Sequence, residues 1–397
     1  MTHDILLVIN AGSSSLKFHV YDLGTDGLSF AYGGQLSGIG GTHSDITVRN
    51  AEKVVLVQRE LKGTEACDLA AAQKTLGNWL ATTIHRAPIA VGHRIVHGGP
   101  RFADSVLVND EVLRYLDTLV PLAPLHQRNN LAPVRVIHEQ WPDILQVACF
   151  DTAFHRTHDN VVERFALPQS FYDRGVRRYG FHGLSYDYIA HRLRREMPEV
   201  ARGRIVAAHL GSGASACAML DGKSVESTMG FTALDGLPMG TRPGRLDPGV
   251  VLWMLEQGMT HDEIQHLLYN ESGLKGLSGI SADIRDLQAS SAPSARLALD
   301  YFSYRTAESI AGLCVSIKGL DTLVFTAGVG EHSASVRSSI CRNLGWLGIE
   351  LDEALNQANS PRISTTRSLV SVQVVPTNEE FVIAQQTLCT ISAEKRP

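Results

Sequence analysis

The run Ile5-Leu6-Leu7-Val8-Ile9, broken at once by Asn10-Ala11-Gly12-Ser13-Ser14-Ser15-Leu16-Lys17 and followed by the alternating Phe18-His19-Val20-Tyr21-Asp22, decides the architecture. A short apolar run, a Gly/Ser break and an alternating segment predict strand, tight turn, strand. The pattern returns in the second half. There Arg204-Ile205-Val206-Ala207-Ala208 leads into His209-Leu210-Gly211-Ser212-Gly213-Ala214-Ser215, and Ala216 to Leu220 reaches a second turn at Asp221-Gly222. The two halves read as copies of one unit. Gly/Ser turns between strands point backbone N–H groups and hydroxyls into one concavity, where phosphate oxygens can bind. A single such turn is ordinarily a plain hairpin. Two in matching positions, with Asn10 and Lys17 beside the first and His209 beside the second, point to a nucleotide held between two lobes, as in a kinase or an ATPase. Neither turn is a Walker P-loop, because no Gly-x-x-x-x-Gly-Lys-Ser/Thr run occurs.

With 397 residues, 44% of them hydrophobic and 19% charged, the chain is long enough for two domains with separate cores. A net charge of −5 and the lack of a basic run argue against nucleic acid as a partner. Asp4 stands where a signal peptide would be basic, and the first apolar run is too short to span a bilayer. The expectation is a cytoplasmic protein with no membrane partner. Six scattered cysteines without C-x-x-C spacing suggest buried free thiols rather than disulfides or zinc.

Short apolar runs (Ile89 to Ile95, Gln146 to Phe150, Ile205 to His209, Thr322 to Thr326) alternate with helical patterns (Leu69 to Ile84, Tyr186 to Arg195, Ala295 to Leu320), the signature of α/β architecture. The second strand-turn-strand unit needs a domain of its own, so a boundary is expected after Phe150. Residues 1–150 would carry the first phosphate turn and 151–380 the second. A terminal helix over 381–397 is expected to return to the first domain. Ser281 to Pro293, rich in Ser, Ala and Asp, reads as a loop.

Five stretches combine Arg, His and Asp with glycine or apolar neighbours in ways a core does not require. They are Gly92-His93-Arg94-Ile95-Val96-His97-Gly98-Gly99, Pro124-Leu125-His126, Phe150-Asp151-Thr152-Ala153-Phe154-His155, Arg178-Tyr179-Gly180-Phe181-His182-Gly183 and Met239-Gly240-Thr241-Arg242-Pro243-Gly244. Each alone is more often a cap or a bridge at a strand end. Taken in order with Asn10 to Ser15, Phe325-Thr326-Ala327-Gly328-Val329-Gly330-Glu331 and Pro376-Thr377-Asn378-Glu379-Glu380, they resemble the acetate kinase family over essentially the whole chain.

That resemblance implies a duplicated two-domain actin-like ATPase fold with ribonuclease H-like halves and an interdomain active-site cleft. It also implies reversible phosphorylation of acetate to acetyl phosphate by ATP, with ADP as product. Mg²⁺ would be the metal, with Mn²⁺ able to substitute, and the enzyme would be a homodimer, although no interface stripe is visible in the sequence. By the same resemblance Asn10 and Glu379 match metal-site residues and Lys17 an ATP-contacting lysine. His209, Leu210, Gly211, Ser212 and Gly213, then Asp283, Ile284 and Arg285, then Gly328, Val329, Gly330, Glu331 and His332 match three nucleotide-binding segments. Arg94 matches the carboxylate-binding arginine, Asp151 the active-site aspartate, and His182 and Arg242 the pair assigned to the transition state. Val96, Leu125, Phe181 and Ala233 fall in the acyl pocket, and His126, which follows Leu125, is expected to bind substrate there. His97 and His155 are read equally well as scaffold.

Four positions depart from the family's pattern. Ser212 and His332 stand in place of asparagines, Arg245 in place of an aspartate, and Ala233 in place of a pocket proline. No charged catalytic group is lost. The physics suits the roles, since phosphoryl transfer asks for in-line positioning and positive charge around three equatorial oxygens. Planar arginine forks supply that charge. Acetate is already ionised at neutral pH, so Asp151 is expected to orient Arg94 or a metal-bound water rather than remove a proton. The near rival is a propionate or butyrate kinase, and the remote one an actin-like or chaperone-like ATPase switch, which would need no carboxylate site.

Overall fold

The computed structural model describes residues 4–12, 15–25, 27–41, 43–124 and 126–394. They form two compact units, Met1–Ala153 with Asn378–Pro397, and Phe154–Thr377.

The first unit is built on an eight-stranded sheet. Its strands are β1 (Asp4–Ala11), β2 (Ser15–Gly24), β3 (Gly27–Ser37), β4 (Asp45–Asn50), β5 (Val55–Glu60), β6 (Ala90–Ile95), β7 (Val106–Leu107) and β8 (Leu145–Phe150), in the order β5-β4-β3-β2-β1-β6-β8-β7. β1, β6 and β8 run parallel, while β1 to β5 pair antiparallel in succession. Every side chain from Ile5 to Ile9 is buried, which is why this strand shows no alternation. Helix Glu379–Glu394 packs on β1, β6 and β8, and helix Gln127–Gln140 packs on β1 and β6.

The second unit repeats the plan. Strands β9 (Arg204–Leu210), β10 (Ala214–Leu220), β11 (Lys223–Ser227), β12 (Thr322–Thr326) and β13 (Ser371–Val374) lie in the order β11-β10-β9-β12-β13. β9, β12 and β13 are parallel, and β9 to β11 antiparallel. This is the order and direction of β3-β2-β1-β6-β8, so the duplication expected from the two turns is present in the sheets. Helix Gly183–Glu196 closes this core, with Tyr186, Ile189 and Leu193 in one buried cluster with Ile205, Ala207, Cys217 and Val324.

Three expectations need correction. The expected division at 150/151 and 380/381 placed Asp151 and Glu379 in the second domain, whereas both lie in the first unit. The reason is hydrogen bonding beyond the strand end: Asp151 N donates to Ile95 O at 3.1 Å, and Thr152 Oγ1 accepts from Gly98 N at 3.1 Å. The Ser281–Pro293 stretch contains a helix, Ile284–Ala289, because the Asp283 carboxylate caps it by accepting from Arg285 N at 2.8 Å. Of the cysteines, Cys149, Cys217, Cys314 and Cys341 are buried, but Cys67 and Cys389 are exposed.

Candidate functional site

In the first unit, Ile9 of β1 lies opposite His93 of β6, so Asn10 and Arg94 follow side by side where the strands end. Helix Gln127–Gln140 holds that edge in place. Asn130 donates to Ala11 O at 2.6 Å and accepts from Val96 N at 2.9 Å, while Gln127 exchanges hydrogen bonds with the His97 backbone. Helix Glu379–Glu394 reaches β6 only because residue 92 is glycine. A Cβ there would lie 2.2 Å from Thr387 Oγ1 and 2.8 Å from Ile383 Cγ2. That close approach brings Glu379 and Glu380 to the end of the strands.

Arg94 is the centre of the cluster. Its Nε and Nη2 donate to the two oxygens of Asp151 at 3.2 and 2.6 Å, its Nη1 to Asn10 Oδ1 at 3.4 Å, and its Nε lies 3.9 Å from Glu379 Oε2. Asp151 is 1% exposed and Arg94 18%, so the pair is largely shielded. Burial alone would weaken the guanidinium's hold on its proton, but Asp151 and Glu379 outweigh it and raise the Arg94 pKa. Asn10 Nδ2 also donates to Glu380 Oε1 at 3.3 Å. Burial pushes the Glu379 carboxyl up to about 7, opposed by Arg94 and reinforced by the negative Asp151 and Glu380. Lys17, exposed on β2, pairs with Asn10 across the strands and pulls weakly the other way. Val96 is buried at the same edge, and His126 precedes helix Gln127–Gln140. Leu125 lies outside the described residues.

In the second unit the corresponding turn, Gly211 to Gly213, closes with Gly211 N donating to Gly213 O at 3.0 Å. A Cβ on Gly213 would lie 2.8 Å from Arg242 Nη2 and 3.2 Å from His182 Nε2, so both side chains face this turn. Arg242 is anchored through Nη1 on Ala233 O at 2.7 Å. His182 Nδ1 is 2.8 Å from Ser215 Oγ, which lies 2.6 Å from Tyr186 OH. The rings of His182 and His209 stack at 4.2 Å and 12°. His209 Nδ1 is 2.8 Å from Ser185 Oγ, which donates to Thr377 Oγ1 at 2.9 Å. Phe181, beside His182, is fully buried.

The other two nucleotide segments also gather within this unit. Gly240 N donates to Ser212 O at 3.3 Å, and a Cβ on Gly240 would meet Ala282 O at 3.1 Å, placing the Met239–Arg242 turn between the Gly211 turn and the Asp283 segment. Gln288 Nε2 donates to Ser333 Oγ and Ser335 Oγ at 2.9 and 2.7 Å, bringing helix Ile284–Ala289 against the segment that follows Gly328 to His332. Glu331 faces inward and accepts from Ala327 N and Thr377 N at 2.9 and 3.1 Å. His332 and Arg285 are exposed, whereas Ile284 is buried. Arg285 is clamped on Asp283 at 2.6 Å.

Sequence reasoning missed the residues that orient these groups: Asn130, Gln127, Glu380, Ser185, Tyr186 and Ser215. Ser185 and Tyr186 stand three and four places after His182, the spacing that puts helix residues beside the turn before them. Asn130 and Gln127 carried no local signal. His93, His97 and His155 are fully buried; His93 Nε2 is 2.8 Å from Gln146 Oε1, and His97 Nδ1 accepts from Gly99 N at 2.8 Å.

Two repeated sheets, each ending its central strand in a Gly/Ser turn, define a protein of the two-domain actin-like ATPase class, with the groups of a phosphotransferase at the strand ends. The chain belongs to the acetokinase family, whose profile matches residues 5–385. It is 50% identical to an acetate kinase of Nitrobacter hamburgensis over 387 residues, 97% of this chain and 96% of the relative. It is 50% identical to one of Rhizobium meliloti over 391 residues, 98% and 99% of the two chains. Among solved structures it resembles the acetate kinase of Porphyromonas gingivalis (34% identity, TM-score 0.85, covering 98% and 100%). It also resembles a propionate kinase of Francisella tularensis (33% identity, TM-score 0.89, covering 97% and 99%).

Proposed function

We infer that this chain is an acetate kinase, transferring the terminal phosphoryl group of ATP to the carboxylate of acetate, reversibly and in line. The observation that carries the reading is Arg94: a shielded guanidinium held in a fork by Asp151, in a chain half identical to relatives named acetate kinase. Arg94 takes the acetate carboxylate, and the family resemblance assigns Val96, Leu125, Phe181 and Ala233 to its methyl group. Arg242 and His182, both facing the Gly213 turn, supply donors to the equatorial oxygens as charge shifts from ATP to the acceptor. The Gly211–Gly213 turn, the Asp283–Arg285 segment and the Gly328–His332 segment hold the nucleotide, and the family resemblance assigns Lys17 to its phosphates. Asp151 accepts from Nε and Nη2 of Arg94 and orients it. A base is unnecessary, because the acceptor arrives as an anion.

A divalent cation fits the first unit. Asn10, Glu379, Glu380 and Asp151 bring hard oxygen donors to one strand edge, and a bound cation would favour the ionised form of the Glu379 carboxyl, which burial first, and then Asp151 and Glu380, disfavour. Asn10 and Glu379 would hold Mg²⁺ or, in its place, Mn²⁺, which would neutralise the nucleotide phosphates. No helix among the described residues is long and apolar enough to cross a membrane, and use of ATP and acetate supports a cytoplasmic location. Homodimerisation finds support in helix Pro248–Glu256, where Leu252, Trp253 and Leu255 are exposed together and offer an apolar face to a second copy.

A propionate kinase is the second reading, favoured by Ala233 and by the propionate kinase among the similar structures. Incubation with ATP, acetate, Mg²⁺ and hydroxylamine tests the activity. ATP-dependent acetohydroxamate is expected, and none formed with either acetate or propionate would overturn both readings. Initial rates on acetate, propionate and butyrate then decide between them.

A further inference from the structure

His182 lies in the left-handed region, φ 57° and ψ 25°, as the residue preceding helix Gly183–Glu196. A residue with a Cβ pays about 1–2 kcal/mol for that conformation, so its surroundings must impose it. The lever is the peptide joining Phe181 to His182, whose plane sets φ at His182 and whose oxygen is Phe181 O. That oxygen lies 2.9 Å from His155 Nε2. A carbonyl only accepts, so Nε2 carries the hydrogen and His155 Nδ1 presents a lone pair.

Nδ1 is 2.8 Å from Ser224 Oγ, so the Ser224 hydroxyl donates to it. The Ser224 oxygen then accepts from His158 Nε2 at 2.8 Å and from the Cys217 thiol at 3.2 Å. His158 Nδ1 is buried with no partner, which costs less for a bare lone pair than for an N–H and so agrees with this tautomer. Thr157 Oγ1 donates to Ser224 O at 2.6 Å and ties the loop to the same strand. The imidazole of His155 also lies flush against Gly180, which has φ 74°; a Cβ there would be 2.6 Å from His155 Cγ and Cδ2. Burial lowers the pKa of His155 to about 4 and that of His158 to about 2, so neither gains a proton near neutrality and the chain of bonds persists.

We propose that His155, its tautomer set by Ser224, is a positioning residue that fixes the Phe181–His182 peptide and thereby holds the His182 imidazole at the Gly213 turn beside Arg242. The proposal rests on the reading of His182 as a group that acts on the transferring phosphoryl. Without the His155 bond the peptide can rotate, relax the left-handed residue and carry Nε2 away from the turn.

A double-mutant cycle tests this in the full chain. His155→Phe, which keeps a ring but no donor, is expected to lower kcat about 10²-fold, the scale of a misplacement near 1 Å, with the KM values for ATP and acetate little changed. His155→Gln restores an N–H near the Nε2 position and should recover much of the loss. Ser224→Ala, a smaller lesion, should reduce kcat less and serves if His155→Phe does not fold. In a His182→Ala background both the His155→Phe and Ser224→Ala losses should vanish. An undiminished loss in that background, or an unchanged kcat in His155→Phe, overturns the proposal. A fully active His182→Ala enzyme strikes down the role of His182 itself and the proposal with it, and that outcome is separable because it appears in the single variant.

Discussion

The same sheet topology ends in two different chemistries. Where β1 and β6 finish, the first unit carries charge: Arg94 in a fork on Asp151, with Glu379, Glu380 and Asn10 around it. Where β9 and β12 finish, the second unit carries imidazoles and hydroxyls, with His182 on Ser215 and Tyr186, His209 on Ser185, and Arg242 anchored on the Ala233 carbonyl. The two halves share the strand order and the turn, which backbone packing governs, while the polar side chains around the strand tips differ between them although several, Asp151, Ser215 and Tyr186 among them, are buried. The contrast teaches that one half is built to hold fixed charges, at a desolvation cost, and the other to aim donors at a phosphate turn.

The two arginines offer the sharpest way to break that contrast. Arg242→Ala should depress kcat by two to three orders of magnitude, as loss of an electrostatic stabiliser of ~3–4 kcal/mol implies, while unfolding shifts little. Arg94→Ala should lower kcat, raise the KM for acetate and also destabilise the fold by about 3 kcal/mol, because it leaves buried Asp151 without its cation. Steady-state kinetics beside thermal unfolding would check both. Equal stability losses in the two variants would dissolve the distinction.

Asp151→Asn addresses what the charged half is for. The variant should lose most turnover through weakened orientation of Arg94, and its residual rate should stay flat as pH rises to the alkaline side. A residual rate growing in proportion to hydroxide would mark Asp151 as a base instead.

Glu379 should give the charged half a pH dependence of its own. Its native pKa of about 7 lies above the ordinary 4.5, so between those values the native state retains a proton that the unfolded chain has released. The Glu379 contribution is therefore fully present below about pH 4.5, declines as pH rises through 7 and is level above it, a change of about 1–3 kcal/mol. Denaturant midpoints measured between pH 5 and 8 with a chelator present should show that slope, and Glu379→Gln should flatten it. Identical slopes in the two proteins would remove Glu379 as the cause.

The smallest effect concerns Ala233, whose carbonyl anchors Arg242 and whose side chain the family resemblance puts in the acyl pocket. Ala233→Pro keeps the carbonyl but adds bulk, so kcat/KM should fall more for propionate than for acetate. One methylene is worth about 1–3 kcal/mol in such a pocket. An unchanged or increased propionate-to-acetate ratio would show that Ala233 does not set acyl length.

Much of this molecule is legible in the chain because its signals are local. Ile5 to Ile9 and Ile205 to Leu210 are continuous apolar runs that only fully covered strands can bury, and Gly12 and Gly211 to Gly213 mark turns whose backbones must bend sharply. From these the α/β class and the repeat follow without coordinates. The motifs around Arg94, Asp151, His182 and Arg242 likewise name the family, since each is a contiguous word. What only the tertiary structure decided is non-local: that Asp151 and Glu379 belong with Arg94 in the first unit, that Gly92 admits the last helix to β6, and that Asn130, Ser215 and His155 orient groups up to 119 residues away in sequence. Those relations depend on strand register and on atoms within hydrogen-bond reach, which a one-dimensional pattern of residue types does not encode.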